Sequence, residues 1–214
     1  MYTDDFSPES IRKTAFFTGH RILSAHEESV IRVRLCQCLS FAYAQGYRKF
    51  FCGCALGFDT LAAFETIRFR SGHPDVVLSL AIPCADQADK WKAEDKSVYQ
   101  RLLAAADEKK ILAPAYYQGA MLTRNRYMVD RSSLCVCYLT RPRGGTASTV
   151  RYAMAQDRMK FVNLAMPGFD SGADCLREDT WNCTFISPSA GKNAVTAPLS
   201  LFRDGKLTMK KPST

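Results

Sequence analysis

Apolar residues along the chain alternate between short continuous runs and stretches at helical spacing. Residues 14–18 (Thr-Ala-Phe-Phe-Thr) form a short β-prone run that stops at Gly19-His20-Arg21. From Glu27 to Gln45, Val30, Ile31, Leu35, Cys38, Leu39 and Ala42 recur at helical spacing, and Gly46 supplies a stop. The same reading gives strands over 49–52, 76–82, 110–112, 134–139 and 161–164. Helices are predicted over 59–70, in one or two pieces over 85–106, over 118–132 and over 146–158. The run over 76–82 is apolar throughout, as in a strand covered on both faces. Such alternation predicts an α/β, Rossmann-like three-layer α/β/α fold with a mostly parallel sheet and right-handed crossovers.

After Pro167 the pattern changes. Gly, Ser, Asp, Asn and Pro become frequent and helical periodicity disappears. Residues 1–167 are therefore expected to form the Rossmann-like domain and 168–214 a partly irregular C-terminal extension. The length of 214 residues suits one substantial domain. No apolar run is long enough to span a bilayer, and the first twelve residues lack the apolar centre of a signal peptide, so the expectation is a cytoplasmic protein without a membrane partner.

Nine cysteines are present, with Cys36/Cys38, Cys52/Cys54 and Cys135/Cys137 at Cys-x-Cys spacing. The odd count argues against a full disulfide framework, and no histidine stands at zinc-site spacing, so no metal is expected. Most are read as small buried hydrophobes. Cys52 and Cys54 are the exception to follow, because a thiol at a helix N-terminus can have a lowered pKa. The net charge of +8 admits an anion site or a nucleic-acid surface, and Arg21, Arg124, Arg126, Arg131, Arg141 and Arg143 cluster around predicted strand ends.

Two glycine-bearing strand-to-helix junctions carry the candidate chemistry. At residues 51–59 (Phe-Cys-Gly-Cys-Ala-Leu-Gly-Phe-Asp) a strand ends in Gly53 and Gly57 and hands over to a helix. There backbone N–H groups and the positive helix end can meet an anion. Gly144-Gly145-Thr146 repeats the pattern and could form a nest of consecutive N–H groups, with Thr146 also fit to cap a helix. Asp59 fits an N-cap or a contact to a ribose hydroxyl. Gly19 can make a turn or meet a ligand, His20 can hold the loop or touch the ligand, and Arg21 is placed to meet an anion. Arg124 and Asn125 precede Asp130 on one helical stretch, and Arg124 shares a face with Met128 four residues on. In an open parallel sheet the strand ends carrying these groups converge on a crevice.

Taken in order, Thr18-Gly19-His20-Arg21, residues 53–59, Arg124-Asn125 with Met128-Val129-Asp130, and Gly144-Gly145-Thr146 resemble the YpsA-like family of the SLOG superfamily of Rossmann-like proteins. The superfamily includes the LOG phosphoribohydrolases and the DNA-processing protein DprA. The resemblance implies a nucleotide or nucleotide-derived ligand over the glycine loops, bound by Gly19, His20, Arg21, Gly53, Gly57, Asp59, Arg124, Asn125, Asp130, Gly144, Gly145 and Thr146, and a homodimer. LOG enzymes carry Arg-Lys ahead of a Met and a Pro-Gly-Gly-x-Gly-Thr-x-x-Glu loop with a catalytic glutamate. Here the lysine position is Asn125 and the glutamate position is Thr149, so the usual carboxylate for glycosidic hydrolysis is replaced. Residues 52–59 are similar to the DprA segment Ser-Gly-x-Ala-x-Gly-Ile-Asp, which implies single-stranded DNA binding as an alternative. Tyr116-Tyr117 is the nearest base-stacking pair. No catalytic residue and no cofactor beyond a nucleotide-like ligand is assigned; the readings carried forward are a sensor or binding module, a nucleotide-processing hydrolase and a DNA binder.

Overall fold

A computed structural model describes residues 7–166 of the protein. Twelve elements follow in order: α1 (Pro8–Arg12), β1 (Thr14–Gly19), α2 (Ala25–Ala44), β2 (Lys49–Cys52), α3 (Phe58–Arg70), β3 (Val77–Ile82), α4 (Ala93–Ala105), β4 (Glu108–Ile111), α5 (Ala120–Asp130), β5 (Leu134–Tyr138), α6 (Gly145–Met154) and β6 (Lys160–Asn163). The six strands form one parallel sheet in the order β4-β3-β2-β1-β5-β6. Its direction of growth reverses between β1 and β5, which is the topological switch point of the fold.

Alternation of side chains along the strands divides the core into two layers. Phe17, Phe50, Leu78, Leu80 and Val136 face α2, α3 and α4, where Ile31, Leu35, Phe58 and Leu102 meet them. Phe16, Phe51, Cys135 and Cys137 face the other way, toward Met128 and Val129 of α5 and Ala147, Val150 and Ala153 of α6. Both layers are covered, which matches the apolar strands and the three-layer reading. The expected C-terminal extension lies outside the described residues.

Local differences from the sequence reading have local causes. Helix α2 begins at Ala25 because Ser24 caps it: the Glu27 N–H donates to the Ser24 hydroxyl at 3.2 Å, and the Ser24 N–H donates to the Glu27 carboxylate at 2.7 Å. The 85–106 stretch contributes only α4, because residues 85–91 form turns closed by bonds such as Trp91 N–H to the Ala88 carbonyl at 2.9 Å. The short α1 was not anticipated. Ser7 caps it and Pro8 sits in its first turn, where no amide donor is missed.

Among the described residues the seven cysteines are free thiols, six of them buried and Cys36 exposed. The expected lowering of the Cys52 pKa does not occur. A hydrogen bond with the Cys54 thiol, burial and the Asp59 carboxylate push it well up. Both residues are sealed beneath the loop, and the Cys52 thiol donates to the Asp59 carbonyl at 3.2 Å. No group of His, Cys, Asp and Glu that could hold a metal occurs among the described residues. No helix among them is long and apolar enough to cross a membrane.

Candidate functional site

A cavity of about 310 Å³ opens at the switch point, beyond the C-terminal ends of β1 and β5. Its floor is the end of β1, from Phe17 to Gly19, continuing into His20 and Arg21. One wall is Ala55 and Asp59 from the β2–α3 junction, and another is Gly145 and Thr146 at the start of α6. The third wall is one face of α5, formed by Met121, Arg124, Asn125 and Met128. Their spacing of i, i+3, i+4 and i+7 places all four on one helical stripe.

Arg124 is the pivot of the site. It is 5% exposed, its Nη1 lies 3.5 Å from the Asp59 Oδ2, and its Nε has no hydrogen-bond partner. A buried guanidinium with one long contact and one orphaned donor has capacity for a further acceptor. Asp59 also accepts from the Ala55 N–H at 3.3 Å. Burial raises the Asp59 pKa, while Arg124, the Ala55 N–H and Arg21 oppose the rise.

Gly53 and Gly57 shape the site from underneath. A Cβ on Gly53 would lie 1.3 Å from the Arg124 Nη1, so this glycine leaves the room that the guanidinium fills. Gly57, with φ +77°, brings its backbone so close to the β1 loop that a Cβ would stand 2.3 Å from the Arg21 carbonyl oxygen. The donors of this junction are largely used internally: the Phe58 N–H donates to the His20 carbonyl at 3.0 Å and the Cys54 N–H meets the Cys52 sulfur at 3.4 Å. Gly57 caps α3 here, so Asp59 stands in the first turn rather than at the N-cap.

The second junction is arranged differently. Gly144, with φ +99°, caps α6, and Thr146 stands inside the helix rather than at its cap. The Thr146 hydroxyl donates to the Gly19 carbonyl at 2.8 Å and fastens α6 to the β1 loop. The Asn125 Nδ2 donates to the Thr149 hydroxyl at 2.6 Å, which in turn donates to the Gly145 carbonyl at 2.9 Å. This chain orients the first turn of α6 toward the cavity, and open space surrounds a Cβ built on Gly145.

His20 holds two loops together. Its Nε2 accepts the Thr140 N–H at 3.0 Å, so the neutral ring carries its hydrogen on Nδ1. Burial, then the nearby Arg141, lowers its pKa, and Glu27 partly offsets them. The ring is therefore a neutral clamp at pH 7.

Of the residues expected at the site, Gly19, His20, Arg21, Asp59, Arg124, Asn125, Gly145 and Thr146 line the cavity. Gly53, Gly57 and Gly144 lie behind its walls as backbone features. Asp130 is not brought to it: it ends α5 and accepts from the Tyr152 hydroxyl at 2.9 Å. Phe17, Thr18, Ala55, Met121 and Met128 also line the cavity, although none of them was assigned to the site from the sequence. The two methionines had a signal, because they share a stripe with Arg124. Ala55 had none beyond its position in the loop.

Comparison with known proteins fits this fold. The chain is 31% identical over 117 residues to an uncharacterized SPbeta prophage-derived protein, YoqJ, of Bacillus subtilis strain 168, covering 49% of this chain and 68% of that one. It is 22% identical over 130 residues to a UPF0398 protein of Bacillus cereus strain B4264, covering 59% of this chain and 71% of the relative. Among solved structures, DNA processing protein A (DprA) of Streptococcus pneumoniae superposes with a TM-score of 0.51 at 15% identity, over 77% of this chain and 56% of that one. The likeness shows a shared fold, and this chain spans little more than half of that protein's length. The YpsA family model, described as the YspA SLOG family, matches residues 22–166, more than half of the chain, and the protein belongs to that family.

Proposed function

We propose that the protein binds a nucleotide or nucleotide-derived small molecule in the β1–β5 crevice, acting as a sensor or binding module. Its anionic group meets the first turn of α6 and the guanidinium of Arg124, with Arg21 at the mouth. The observation that carries this reading is Arg124: a buried cation lining the cavity, with an unpartnered donor beside an open helix N-terminus. The cavity of about 310 Å³ lies at the lower end of small-ligand sites and suits a mononucleotide-sized group better than a long dinucleotide. The reading carries with it a cytoplasmic location and a homodimer.

A thermal-shift panel of nucleoside mono- and diphosphates, dinucleotides and ADP-ribose tests it. At a hundredfold excess over Kd, a ligand stabilises the folded state by about 2.7 kcal/mol. For a chain of this size that is roughly 5–10 °C in Tm. No shift with any member of the panel contradicts the proposal.

Hydrolysis of a nucleotide is the weaker reading. The position of the LOG glutamate holds Thr149, whose hydroxyl is engaged by Asn125 and Gly145. Asp59 is the one carboxylate among the lining residues, and it faces Arg124. Product release from nucleoside monophosphates on long incubation, abolished in Asp59→Asn, would favour it. A single-stranded nucleic acid is favoured by one observation, the exposed Arg21, Arg141 and Arg143 around the mouth. A mobility shift with short oligonucleotides and a steep salt slope would select that reading.

A further inference from the structure

The polar groups that line the crevice are not all donors. Asn125 follows Arg124 on α5 and lines the crevice with it, and its amide is oriented by its neighbours. The Thr149 hydroxyl has a single hydrogen and gives it to the Gly145 carbonyl at 2.9 Å. Toward Asn125 it can only accept, so the contact of 2.6 Å belongs to the amide nitrogen. Thr149 is buried on α6, so the anchoring atom is fixed by the helix. The Asn125 Oδ1 is thereby left over, with no hydrogen-bond partner among the described residues.

Asp59 holds a second such oxygen. Its Oδ2 accepts the Ala55 N–H at 3.3 Å and faces the Arg124 Nη1 at 3.5 Å, while its Oδ1 has no hydrogen-bond partner among the described residues. Both residues line the cavity that also holds Arg124 and the start of α6. An ionised phosphate brings only acceptors and satisfies neither oxygen. A ligand whose anion meets α6 and Arg124 must therefore carry hydrogen-bond donors close to that anion, because the Asn125 amide is a single hydrogen bond from α6. In a ribonucleotide the 2′- and 3′-hydroxyls are separated from the phosphate by the sugar alone. The amino group of a base lies farther off, beyond the glycosidic bond.

Granted a nucleotide in the crevice, the reading on which this rests, we propose that the site selects ribonucleotides with free 2′- and 3′-hydroxyls, one donating to the Asn125 Oδ1 and the other to the Asp59 Oδ1. Asn125 is then a specificity residue: it reads the sugar, while Arg124 and the start of α6 take the phosphate. A deoxy sugar leaves one of the two oxygens unmet in a crevice from which the ligand has displaced water, and that loss is what discriminates against it. A DNA strand, without a 2′-hydroxyl and with its 3′-oxygen esterified, meets neither acceptor.

Isothermal titration of the full chain with AMP, IMP, 2′-deoxy-AMP and 3′-deoxy-AMP tests it. The wild type binds each deoxy analogue about tenfold more weakly than AMP, and binds IMP, which lacks the amino group, as it binds AMP. Asn125→Leu removes the oxygen at similar side-chain volume. It binds AMP about tenfold more weakly and loses the discrimination against one deoxy analogue while keeping that against the other. Thr149→Val keeps the oxygen but removes the anchor of the amide, and lowers the discrimination against that same analogue. Equal wild-type affinities for AMP and both deoxy analogues overturn the proposal. So does an Asn125→Leu protein that discriminates as the wild type does, or a loss of affinity confined to IMP. No binding of any of the four contradicts the nucleotide reading itself, which separates the two failures.

Discussion

The two glycine-bearing βα junctions look alike in sequence and differ in what occupies them. At β2–α3 the backbone folds onto itself: Gly57 lies against the Arg21 carbonyl, the first amide of α3 is taken by His20, and the Asp59 carboxylate sits where an outside anion would otherwise be held. At β5–α6 open space lies around Gly145, and the helix start is aimed at the cavity through Thr146 and the Asn125–Thr149 pair. A glycine-rich strand end is thus no sufficient mark of a phosphate cradle. What decides is whether its donors are satisfied from within the chain. The first junction is a structural wall beneath Arg124, and the second is the proposed anion seat.

The largest expected effect comes from the residue shared by both. Arg124→Ala should abolish ligand-induced stabilisation and leave Asp59 buried without its cation, at a cost of about 4 kcal/mol near neutral pH in urea unfolding. The sign of the pH dependence follows from the raised Asp59 pKa. Below the unfolded value of about 3.9 the group is neutral in both states and the cost vanishes. As pH rises through the higher folded value, the charge must be buried and the cost grows. The deficit of Arg124→Ala should therefore shrink in acid, and Asp59→Asn in the same background should remove most of it. An equal deficit at pH 4 and pH 7 would separate Asp59 from the account.

Paired alanine substitutions sharpen the contrast between the junctions. Gly57→Ala combines a positive φ with a backbone collision and should destabilise the fold by about 2 kcal/mol or more. Gly145→Ala meets open space and should leave stability within roughly 0.5 kcal/mol, yet weaken any ligand of the cavity because its methyl enters the anion's approach. If Gly145→Ala binds nucleotides as the wild type does, the anion seat lies elsewhere.

The fold was legible in the alternation of patterns, because fully buried strands and one-sided helices leave different signatures. The candidate cavity was legible as a set of strand ends, since parallel topology brings them together whatever their spacing. What the sequence hid was the state of each donor. Nothing in Gly53-Cys54-Ala55-Leu56-Gly57 tells that its helix end faces the His20 carbonyl, because that depends on a segment more than thirty residues earlier. Asp130 shows the same limit: it follows Arg124 by six residues, and the turn of α5 carries it to the end that bonds Tyr152, away from the cavity. The Cys52 thiol, at a position where a helix end could have activated it, is instead raised by its neighbours and burial. The Ser24–Glu27 capping box was readable and would have set the start of α2 two residues earlier.

The smallest effect concerns the clamp between the β1 and β5 loops. Because the folded pKa of His20 is lowered, the unfolded ring protonates first, near 6.5. The clamp's contribution is present above that value and is lost as pH falls through the folded pKa. His20→Gln should flatten the part of the stability profile just below pH 6.5 while leaving Tm at pH 8 little changed. An unaltered profile would remove the ring from the pH response.

The assignment of the anion seat is tested most directly by amide chemical shifts during titration of the isotope-labelled protein with AMP. Binding should move the amides of Gly145, Thr146 and Ala147 downfield together with the Arg124 side-chain Nε–H, and leave Leu56 and Gly57 nearly unmoved. Large shifts at Leu56 and Gly57 with none at the start of α6 would reverse the roles of the two junctions and contradict the account.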